Sequence, residues 1–456
     1  MTEARKLIET EIQWFGATPS TWKRSALKYL GVYQNGYPFK PEDWHASGLP
    51  IIRIAQLTSN AEPNFFEGQI DERNYVQKGD LLFSWSATLD TFIWKKGPAW
   101  LNQHIFKVTP TTEADKNFLY WLLKIAAIKL SDIDAHGSTM RHIKKESLSE
   151  KVFVPSLYEQ RQIAAYLSRE TAKIDNLIAK QQKLIKLLQE KRQTVISQTV
   201  TKGLDPNVKM KDSGVEWLGE VPQHWNLLRG KSLFKIRKRI AGRLGFEILS
   251  ITQKGIKVKD TESGGGQLSM DYSKYQLVIP GDFAMNHMDL LTGYVDISKY
   301  HGVTSPDYRV FEMKGDQDTF CSIFYKSVLQ NCYHEKLFFP FGQGSSQLGR
   351  WRLPTEAFNE FVYPVPPIDE QRAIAKFIEV EISKCELLTD KANTCISLLK
   401  EHRQALITAA VTGKIDVRGL VTDEEVAALD LDHVLETTEE DLESEVTEAD
   451  YITEEE

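Results

Sequence analysis

Apolar and small residues recur every seven positions along two long stretches of the chain. The first row is Leu167, Ile174, Leu188 and Val195, with polar Gln181 in line, and the second is Ile378, Cys385, Ala392, Leu399 and Leu406. Companion rows are formed by Leu177 and Leu184 in the first stretch, and by Leu388 and Cys395 in the second. A seam of this period predicts two long helices that pack together as a coiled coil. A long amphipathic helix lying on its own domain is the alternative.

The two stretches also begin and end alike. YEQRQIAAYL starts at Tyr158 and DEQRAIAKFI at Asp369, and the same offset of 211 positions continues without a gap to Thr201 and Thr412. Ser156 has capping-box spacing to Glu159, and Pro367 lies near the second start. Upstream, WFGATPSTW resembles WLGEVPQHW. The chain is therefore an internal repeat of a Trp motif, a variable region and a long helix.

Between these repeated parts, the pattern changes to short apolar runs bounded by Gly, Asp and Asn, which is typical of strands. Examples are GLPIIRIAQL, KGDLLFSWSATLDTFIW and NQHIFKV in the first region, and GFEILSITQKG, YQLVIPGDFAM and VTSPDYRVFEM in the second. The two regions share little sequence. We predict two recognition modules on one scaffold, with boundaries at 1–155 (first module), 156–203 (first helix), 204–366 (second module), 367–416 (second helix) and 417–456 (acidic, disordered tail).

The net charge of −7 is the sum of two parts of the chain with opposite net charge. Sixteen acidic residues and no Lys or Arg lie between Val421 and Glu456. Without them, 56 basic residues face 47 acidic ones, so the body carries about +9. Like-charge repulsion should leave much of the tail disordered, although EEVAALDLDHVL could form a short helix on a partner. The basic body suits a phosphate-binding surface.

Cysteine spacing and hydropathy narrow the class of protein further. Cys321, Cys332, Cys385 and Cys395 follow no disulfide framework, which favours free thiols in a cytoplasmic protein. Cys332 and His334 lack the second ligand pair that a zinc site needs, so no metal site is predicted. No apolar run approaches the ~20 residues of a membrane span.

A search for catalytic motifs finds no phosphate-binding loop, dinucleotide fingerprint, nucleophile elbow or zinc helix. PDYRVFEMK, from Pro306 to Lys314, matches the letters of a metal-dependent nuclease. Asp307 and Glu312 are separated by an odd number of positions, which would place them on opposite faces of one strand. No catalytic residue is therefore predicted, and binding is favoured over catalysis.

Candidate DNA contacts fall into two groups. Phosphate contacts are predicted for a basic stretch in the second region and a smaller one in the first: Lys231, Lys235, Arg237, Lys238, Arg239, Arg243, Arg141, Lys144 and Lys145. Six cations on phosphates would give a log–log salt slope of about −5. Polar side chains near predicted turns are candidates for base readout: Arg53, Gln56, Asn102, His104, Gln253, Asn286, His287, Gln347 and Arg350. A solvated polar surface is the alternative for both groups.

The repeated EQR openings, the KRQ and HRQ helix ends and the GVEWLGEVPQHW entry closely resemble the specificity subunit of type I restriction-modification enzymes. GDLLFSWSATLD, NQHIFKV and GVTSPDYRVF are similar to segments of its target recognition domains. The resemblance runs from about Trp14 to Asp416, and leaves the acidic tail outside.

This resemblance implies an α/β (α+β) fold: two target recognition domains with mixed and antiparallel sheets, separated by two long antiparallel helices with pseudo-twofold symmetry. It implies a non-catalytic subunit that binds double-stranded DNA and reads a bipartite, asymmetric target. The implied partners are two methyltransferase subunits and restriction/translocase subunits. S-adenosylmethionine, ATP and Mg²⁺ would be bound by those partners, and none by this chain.

Two other functions remain open from the residues alone. One is a DNA-binding chain with its own nuclease site at Asp307 and Glu312. The other is a regulatory protein whose acidic tail imitates DNA phosphates.

Overall fold

The structure is a computed structural model that describes residues 5–429, except 60, 135–142, 144, 261–270, 317 and 346–349. Its helices are α1 Leu27–Leu30, α2 Ile54–Thr58, α3 Lys116–Asp134, α4 Leu157–Lys202, α5 Gly230–Leu233, α6 Ser322–His334, α7 Thr355–Glu360, α8 Ile368–Val411 and α9 Asp423–Ala427. None of the helices in these ranges is long and apolar enough to cross a bilayer.

The chain divides into two compact units, and each long helix contributes one half to each unit. Unit 1 contains residues 1–181 and 393–456, and unit 2 contains residues 182–392. The division falls at the same repeat position in α4 and α8, because 181 and 392 are separated by the offset of 211. Each unit thus combines one module with the start of one long helix and the end of the other.

Unit 1 carries its module on two four-stranded sheets, ordered β6-β5-β10-β7 and β4-β11-β8-β9, with α3 packed on the second. Only the β5–β10 pair is parallel. The strands are β1 Leu7–Glu9, β2 Ala17–Pro19, β3 Lys23–Ala26, β4 Gly31–Asn35, β5 Leu49–Ile52, β6 Phe65–Phe66, β7 Tyr75–Val76, β8 Leu81–Ser84, β9 Asp90–Ile93, β10 Ala99–Leu101, β11 Ile105–Pro110 and β12 Lys151–Val154. Two-stranded pairs β1-β2 and β12-β3 complete the unit.

Unit 2 has the same topology from a different sequence. Its sheets are ordered β18-β17-β22-β19 and β16-β23-β20-β21, again with one parallel pair, β17–β22. The strands are β13 Met210–Asp212, β14 Glu220–Pro222, β15 Asn226–Arg229, β16 Phe234–Arg237, β17 Glu247–Thr252, β18 Gly255–Val258, β19 Gln276–Val278, β20 Phe283–Met285, β21 Val295–Ile297, β22 Gly302–Thr304, β23 Arg309–Met313, β24 Gln343–Ser345, β25 Arg350–Arg352 and β26 Val362–Val365. The predicted fold class, with two modules of mixed and antiparallel sheets and two long helices, is confirmed.

The repeated EQR triplet fixes each long helix to its module. The Glu159 carboxylate accepts a hydrogen bond from the Trp22 indole (3.2 Å), and Glu370 accepts one from Trp225 (3.0 Å). The next residue, glutamine, is only 1% exposed in both copies. Gln160 accepts from the Asp115 backbone N–H just before α3. Because unpaired buried backbone groups are costly, these contacts explain why the triplet is repeated.

The Trp motif also packs against the end of the opposite long helix. Gly413 follows α8 with φ +76°, and a Cβ there would lie 2.4 Å from the Pro19 ring. Gly203 follows α4 with φ +77°, and a Cβ there would lie 3.3 Å from the Trp225 ring. Glycine tolerates both the left-handed backbone and the close approach. The repeats are therefore interlocked, since each Trp motif contacts the helix end of the other repeat.

Within each unit, the two helix halves pack side by side. Asp175 forms an ion pair with Arg403 (2.9 Å) in unit 1. Arg192 lies 3.9 Å from Glu386 in unit 2. The later residue on α4, Arg192, contacts the earlier residue on α8, Glu386. This order is that of antiparallel helices.

The predicted seam lies where expected for one row and not for the other. Leu167, Ile174, Leu188, Ile378 and Cys385 are buried, and Val195, Leu399 and Leu406 are half-buried. The prediction that Leu177, Leu184 and Leu388 lie in the seam is wrong, because these side chains are 48%, 39% and 45% exposed. The second row lies four residues after the first, at Thr171, Ile178 and Ile185, instead of three. At 3.6 residues per turn, a row three residues after the first and a row four residues after it lie on opposite sides of the first row.

The acidic segment begins differently from the prediction. The prediction of a disordered tail over residues 417–456 is wrong at its start, because Val417 is fully buried and α9 lies within this range. Thr422 and Glu425 form a reciprocal capping box at the start of α9. The remaining tail residues, 430–456, lie outside the described residues.

Candidate nucleic-acid interface

In unit 1, the ends of several strands place polar and aromatic side chains along one edge, here called the first loop edge: Asn35, Trp85 and Asn102–His104. The Trp85 indole donates to the Asn35 side-chain oxygen (3.0 Å), and the Trp85 ring lies 5.3 Å from the exposed His104 ring. The Ile143 backbone N–H donates to the Trp85 carbonyl (2.8 Å), which brings part of the predicted MRHIKK stretch to this edge.

The remaining unit 1 candidates, Asn102 on this edge and Arg53 and Gln56 near it, differ in how accessible their side chains are. Asn102 is 9% exposed, and its backbone N–H donates to Ile52 at the end of β5. Arg53 is exposed, with its guanidinium over the Trp44 ring (5.3 Å). The Gln56 side chain bonds to the Arg53 N–H and to two loop carbonyls. Gln56 therefore holds a loop together, whereas Arg53 and His104 present accessible groups.

In unit 2, the equivalent edge, here called the second loop edge, contains Asn286–His287, the Ser305–Tyr308 turn and the ribbon of β24 and β25. The Leu353 N–H donates to the His287 carbonyl (2.9 Å), and the Leu290 N–H donates to the Trp351 carbonyl (3.0 Å). The ribbon is thus fixed against the loop that follows β20. Arg350 begins β25, Gln347 lies outside the described residues, and exposed Gln253 follows β17.

Two basic side chains beneath this edge are held in an unusual environment. Arg309 is 4% exposed, donates to the Leu353 carbonyl (3.0 Å) and lies over the Phe358 ring. Burial lowers the pKa of Arg309 to about 10. Burial, followed by the nearby Arg309 and Arg352 cations, lowers the pKa of His287 to about 3. His287 is therefore neutral at physiological pH, and exposed Arg352 supplies the positive charge.

Half of the basic stretch in unit 2 is neutralised within the fold, contrary to the prediction of six free phosphate contacts. Arg237 forms an ion pair with Glu312, Arg239 pairs with Asp282 (2.5 Å), and Lys231 pairs with Glu360 (2.7 Å). The Arg237 guanidinium lowers the pKa of the Glu312 carboxyl. These acids come from distant parts of the sequence, so the charge pattern of the stretch alone could not show the pairing.

The remaining cations are better placed to meet phosphates. Lys235 and Lys238 are exposed, and no ion pair closer than 4.0 Å involves either one in the described ranges. Arg243 stacks on Phe246 (5.3 Å) and is exposed. In unit 1, Lys145 is exposed, whereas Arg141 and Lys144 lie outside the described residues.

The nuclease alternative is not supported by the geometry. The Glu312 carboxylate accepts hydrogen bonds from both Arg237 and Arg239, so metal coordination would have to break both contacts. Asp307 is exposed in the turn before β23. No cluster of three or more potential metal ligands is present among the residues that the structure describes.

Two residues at these edges were missed from the sequence. Trp85 follows the buried run of β8, and Arg352 ends the β24–β25 ribbon. An aromatic or basic residue directly after or at the end of a short strand was the available signal, but surface loops contain many such residues.

Comparisons with known proteins agree on one family. The sequence profile described as "Type I restriction modification DNA specificity domain" matches residues 19–187. The Escherichia coli EcoBI specificity subunit is 22% identical over 446 residues, which is 90% of each chain. The Methanocaldococcus jannaschii MjaVIII specificity subunit is 25% identical and covers 76% of this chain and 81% of its own. The chain is therefore similar to type I restriction enzyme specificity subunits over most of its length.

A solved structure shares the fold of this chain. A chain from a study of complex assembly and conformational transition of the type I R-M system has a TM-score of 0.63 and 13% identity. The match covers 87% of this chain and 99% of the solved one. At this identity, the likeness supports the fold alone. The profile match covers most of the unit 1 module, including the first loop edge.

Proposed function

We propose that this chain is a specificity subunit and reads a bipartite, asymmetric DNA target, with one half-site contacted by each loop edge. The observation that carries the proposal is that two modules share one topology but differ in the side chains at their edges. Topological identity lets each module approach DNA in the same way. Different side chains at the edges give each module its own base sequence.

The proposed contacts differ in chemistry between the two edges. The first edge offers the exposed Arg53 guanidinium and the His104 ring beside Trp85. The second offers Asn286, neutral His287 and the cationic Arg352. Arginine makes bidentate contacts with guanine, and amide side chains with adenine, so both edges carry groups suited to readout in the major groove.

The long helices are proposed to set the unread gap between half-sites. α4 has 46 residues and α8 has 44. At 1.5 Å per residue, each helix is roughly 65–70 Å long. Half-sites one DNA turn apart are ~35 Å from each other, so helices of this length can span that distance and still anchor in both modules.

Catalysis is assigned to partners. We propose that methyltransferase subunits, which bind S-adenosylmethionine, methylate adenine on DNA held by this chain, and that restriction/translocase subunits supply ATP- and Mg²⁺-dependent cleavage. The specificity subunit would have no turnover of its own.

Methylome sequencing of cells that carry this chain with its methyltransferase tests the proposal. We expect one methylated motif made of two unlike half-sites separated by a gap of fixed length. A single continuous motif, or no adenine methylation that depends on this chain, would contradict the proposed function.

The free cations should also affect the salt dependence of binding. Replacing one lysine that contacts a phosphate should make the log–log salt slope less negative by about 1, because one fewer counterion is released. We expect this for Lys238→Ala in the complex with methyltransferase, measured by DNA titration at several salt concentrations. Lys231→Ala, whose ammonium already pairs with Glu360, is the matched control and should change the slope less. Equal slopes for both variants would remove Lys238 from the interface.

A further inference from the structure

A buried cation lies beneath the second loop edge without an acidic partner. Arg309 begins β23, directly after the Ser305–Tyr308 turn, and is only 4% exposed. Burial lowers its pKa to about 10, so the guanidinium is still charged at neutral pH. Within the ranges that the structure describes, no Asp or Glu oxygen lies within 4.0 Å of it. Because burial of an unpaired charge is costly, the stability of the fold does not explain Arg309.

The hydrogen bonds of Arg309 use only part of its guanidinium. Nη2 donates to the Leu353 carbonyl (3.0 Å) and lies 3.4 Å from the Thr355 hydroxyl. Nη1 is buried, and among the described residues it has no hydrogen-bond acceptor. A buried donor without an acceptor adds to the cost of burying the charge. The surroundings of Arg309 are therefore not those that would make a buried arginine stabilising.

The module of unit 1 shows that the fold does not need a cation at this sheet position. β4 and β16 begin directly after α1 and α5, and their first residues pair with Pro110 and Met313. Four residues before these, on β11 and β23, lie Phe106 and Arg309. Phe106 is 6% exposed and packs against other aromatic rings. An apolar side chain thus occupies the equivalent position in unit 1, and the cation is specific to unit 2.

The contacts of Arg309 lead to the loop that carries candidate base contacts. Leu353 accepts from Arg309 through its carbonyl, and its backbone N–H donates to the His287 carbonyl (2.9 Å). The Tyr333 hydroxyl donates to the neighbouring Asn286 carbonyl (2.7 Å). Both loop residues are therefore held through their backbone from inside the module. This support fixes where their half-buried side chains lie.

We propose that Arg309 is a positioning residue for the second half-site, which holds the Asn286–His287 loop in the geometry that reads bases and lowers the stability of unit 2 in doing so. The proposal rests on the proposed function for the DNA target. Arg309 acts without touching DNA. Its guanidinium lies over the Phe358 ring (4.7 Å), so the donor to Leu353 is kept in one place. Base readout requires side chains held to within about 0.5 Å, so a loosened loop loses discrimination between bases while phosphate contacts persist.

The first experiment separates a positioning role from a structural one and needs no DNA. Arg309→Met replaces the cation with an apolar side chain of similar length. We expect the urea midpoint of unit 2 to be unchanged or higher, because the unpaired buried charge is gone. Hydrogen exchange of the Leu353 amide should become faster by about tenfold or more, because its support is lost.

Two results of this experiment would overturn the proposal. A urea midpoint lowered as far as in Trp225→Ala, which truncates a fully buried side chain, would make Arg309 a stabilising residue. Unchanged exchange of the Leu353 amide in Arg309→Met would show that Arg309 does not hold the loop.

The second experiment selects bound DNA from a random pool with the full chain, Arg309→Met and Arg229→Met, each assembled with methyltransferase. Arg229 is exposed and pairs with Glu360 (2.9 Å), so the control removes a cation from the same unit without disturbing the loop. We expect Arg309→Met to reduce discrimination by about fivefold or more at positions of one half-site only. The other half-site and the gap should not change, and Arg229→Met should change neither half-site. Uniform weakening with unchanged base preferences, or the same change in Arg229→Met, would overturn the proposal.

The full chain distinguishes failure of this proposal from failure of the proposed function. If it selects no motif of two half-sites, the proposed function fails, and exchange of the Leu353 amide still decides whether Arg309 holds the loop. If it selects such a motif and Arg309→Met selects the same one, this proposal alone fails. Arg53→Ala, at the first loop edge, identifies the half-sites, because it should alter the one that Arg309→Met leaves intact. A change in the same half-site for both variants would contradict the assignment of Arg309 to the second.

Discussion

Trp225→Ala is expected to lower the free energy of unfolding of unit 2 by about 3–5 kcal/mol, the usual cost of truncating a large buried aromatic side chain. Trp225 is fully buried, and its indole donates to Glu370 at the start of α8. The variant would therefore leave a cavity and remove a hydrogen bond that fixes the helix. Urea denaturation followed by hydrogen exchange measures the loss and locates it.

The repeat supplies a matched variant, and the surface supplies a control. Trp22 is 5% exposed and donates to Glu159, so Trp22→Ala should destabilise unit 1 by a similar amount. Leu244 is 65% exposed, and Leu244→Ala should cost less than about 1 kcal/mol. A Trp225→Ala variant as stable as Leu244→Ala would show that the Trp motif does not anchor the helix.

The helices and their repeat could be predicted from the sequence because their signals are local and periodic. Seven-residue spacing and the repeated EQR triplet identify α4 and α8 without knowledge of the modules. Only part of the role of the EQR triplet could be predicted from the sequence. Glu159 was expected to complete a capping box, but its carboxylate instead contacts Trp22 and Arg5, which lie far away in the sequence.

The second row of the seam could not be predicted, because a seven-residue period allows a companion row on either side. The leucines at Leu177 and Leu184 favour a prediction that this side is buried. The structure uses the other side, where Ile178 and Ile185 lie. Which side is buried depends on the position of the partner helix and module, and the helix sequence alone does not contain that information.

The candidate interface was predictable in location but not in detail. His104, Asn286 and His287 follow strands, and residues at strand ends collect at sheet edges, so several candidates fall on the loop edges. The charge state of the basic stretch was not predictable. Arg237 and Arg239 are paired with Glu312 and Asp282, which lie 75 and 43 positions away.

Lengthening both long helices by two turns should lengthen the gap between half-sites. Seven residues inserted after Gln181 and after Ala392, the repeat-equivalent positions where the units divide, keep the heptad period. They add about 10.5 Å, or roughly three base pairs at 3.4 Å each. Affinity for the original target should fall by about 100-fold or more, because one half-site loses several base contacts of about 1–3 kcal/mol each.

Selection of bound DNA from a random pool, with chain and methyltransferase assembled, is the measurement that tests this account most directly. The same seven residues inserted after Gly97, where a side chain would meet no atom within 4 Å, serve as the control and should leave the motif unchanged. We predict unaltered half-sites and a gap about three base pairs longer for the helix variant. Altered half-sites with the original gap would contradict the assignment of base reading to the modules and spacing to the helices.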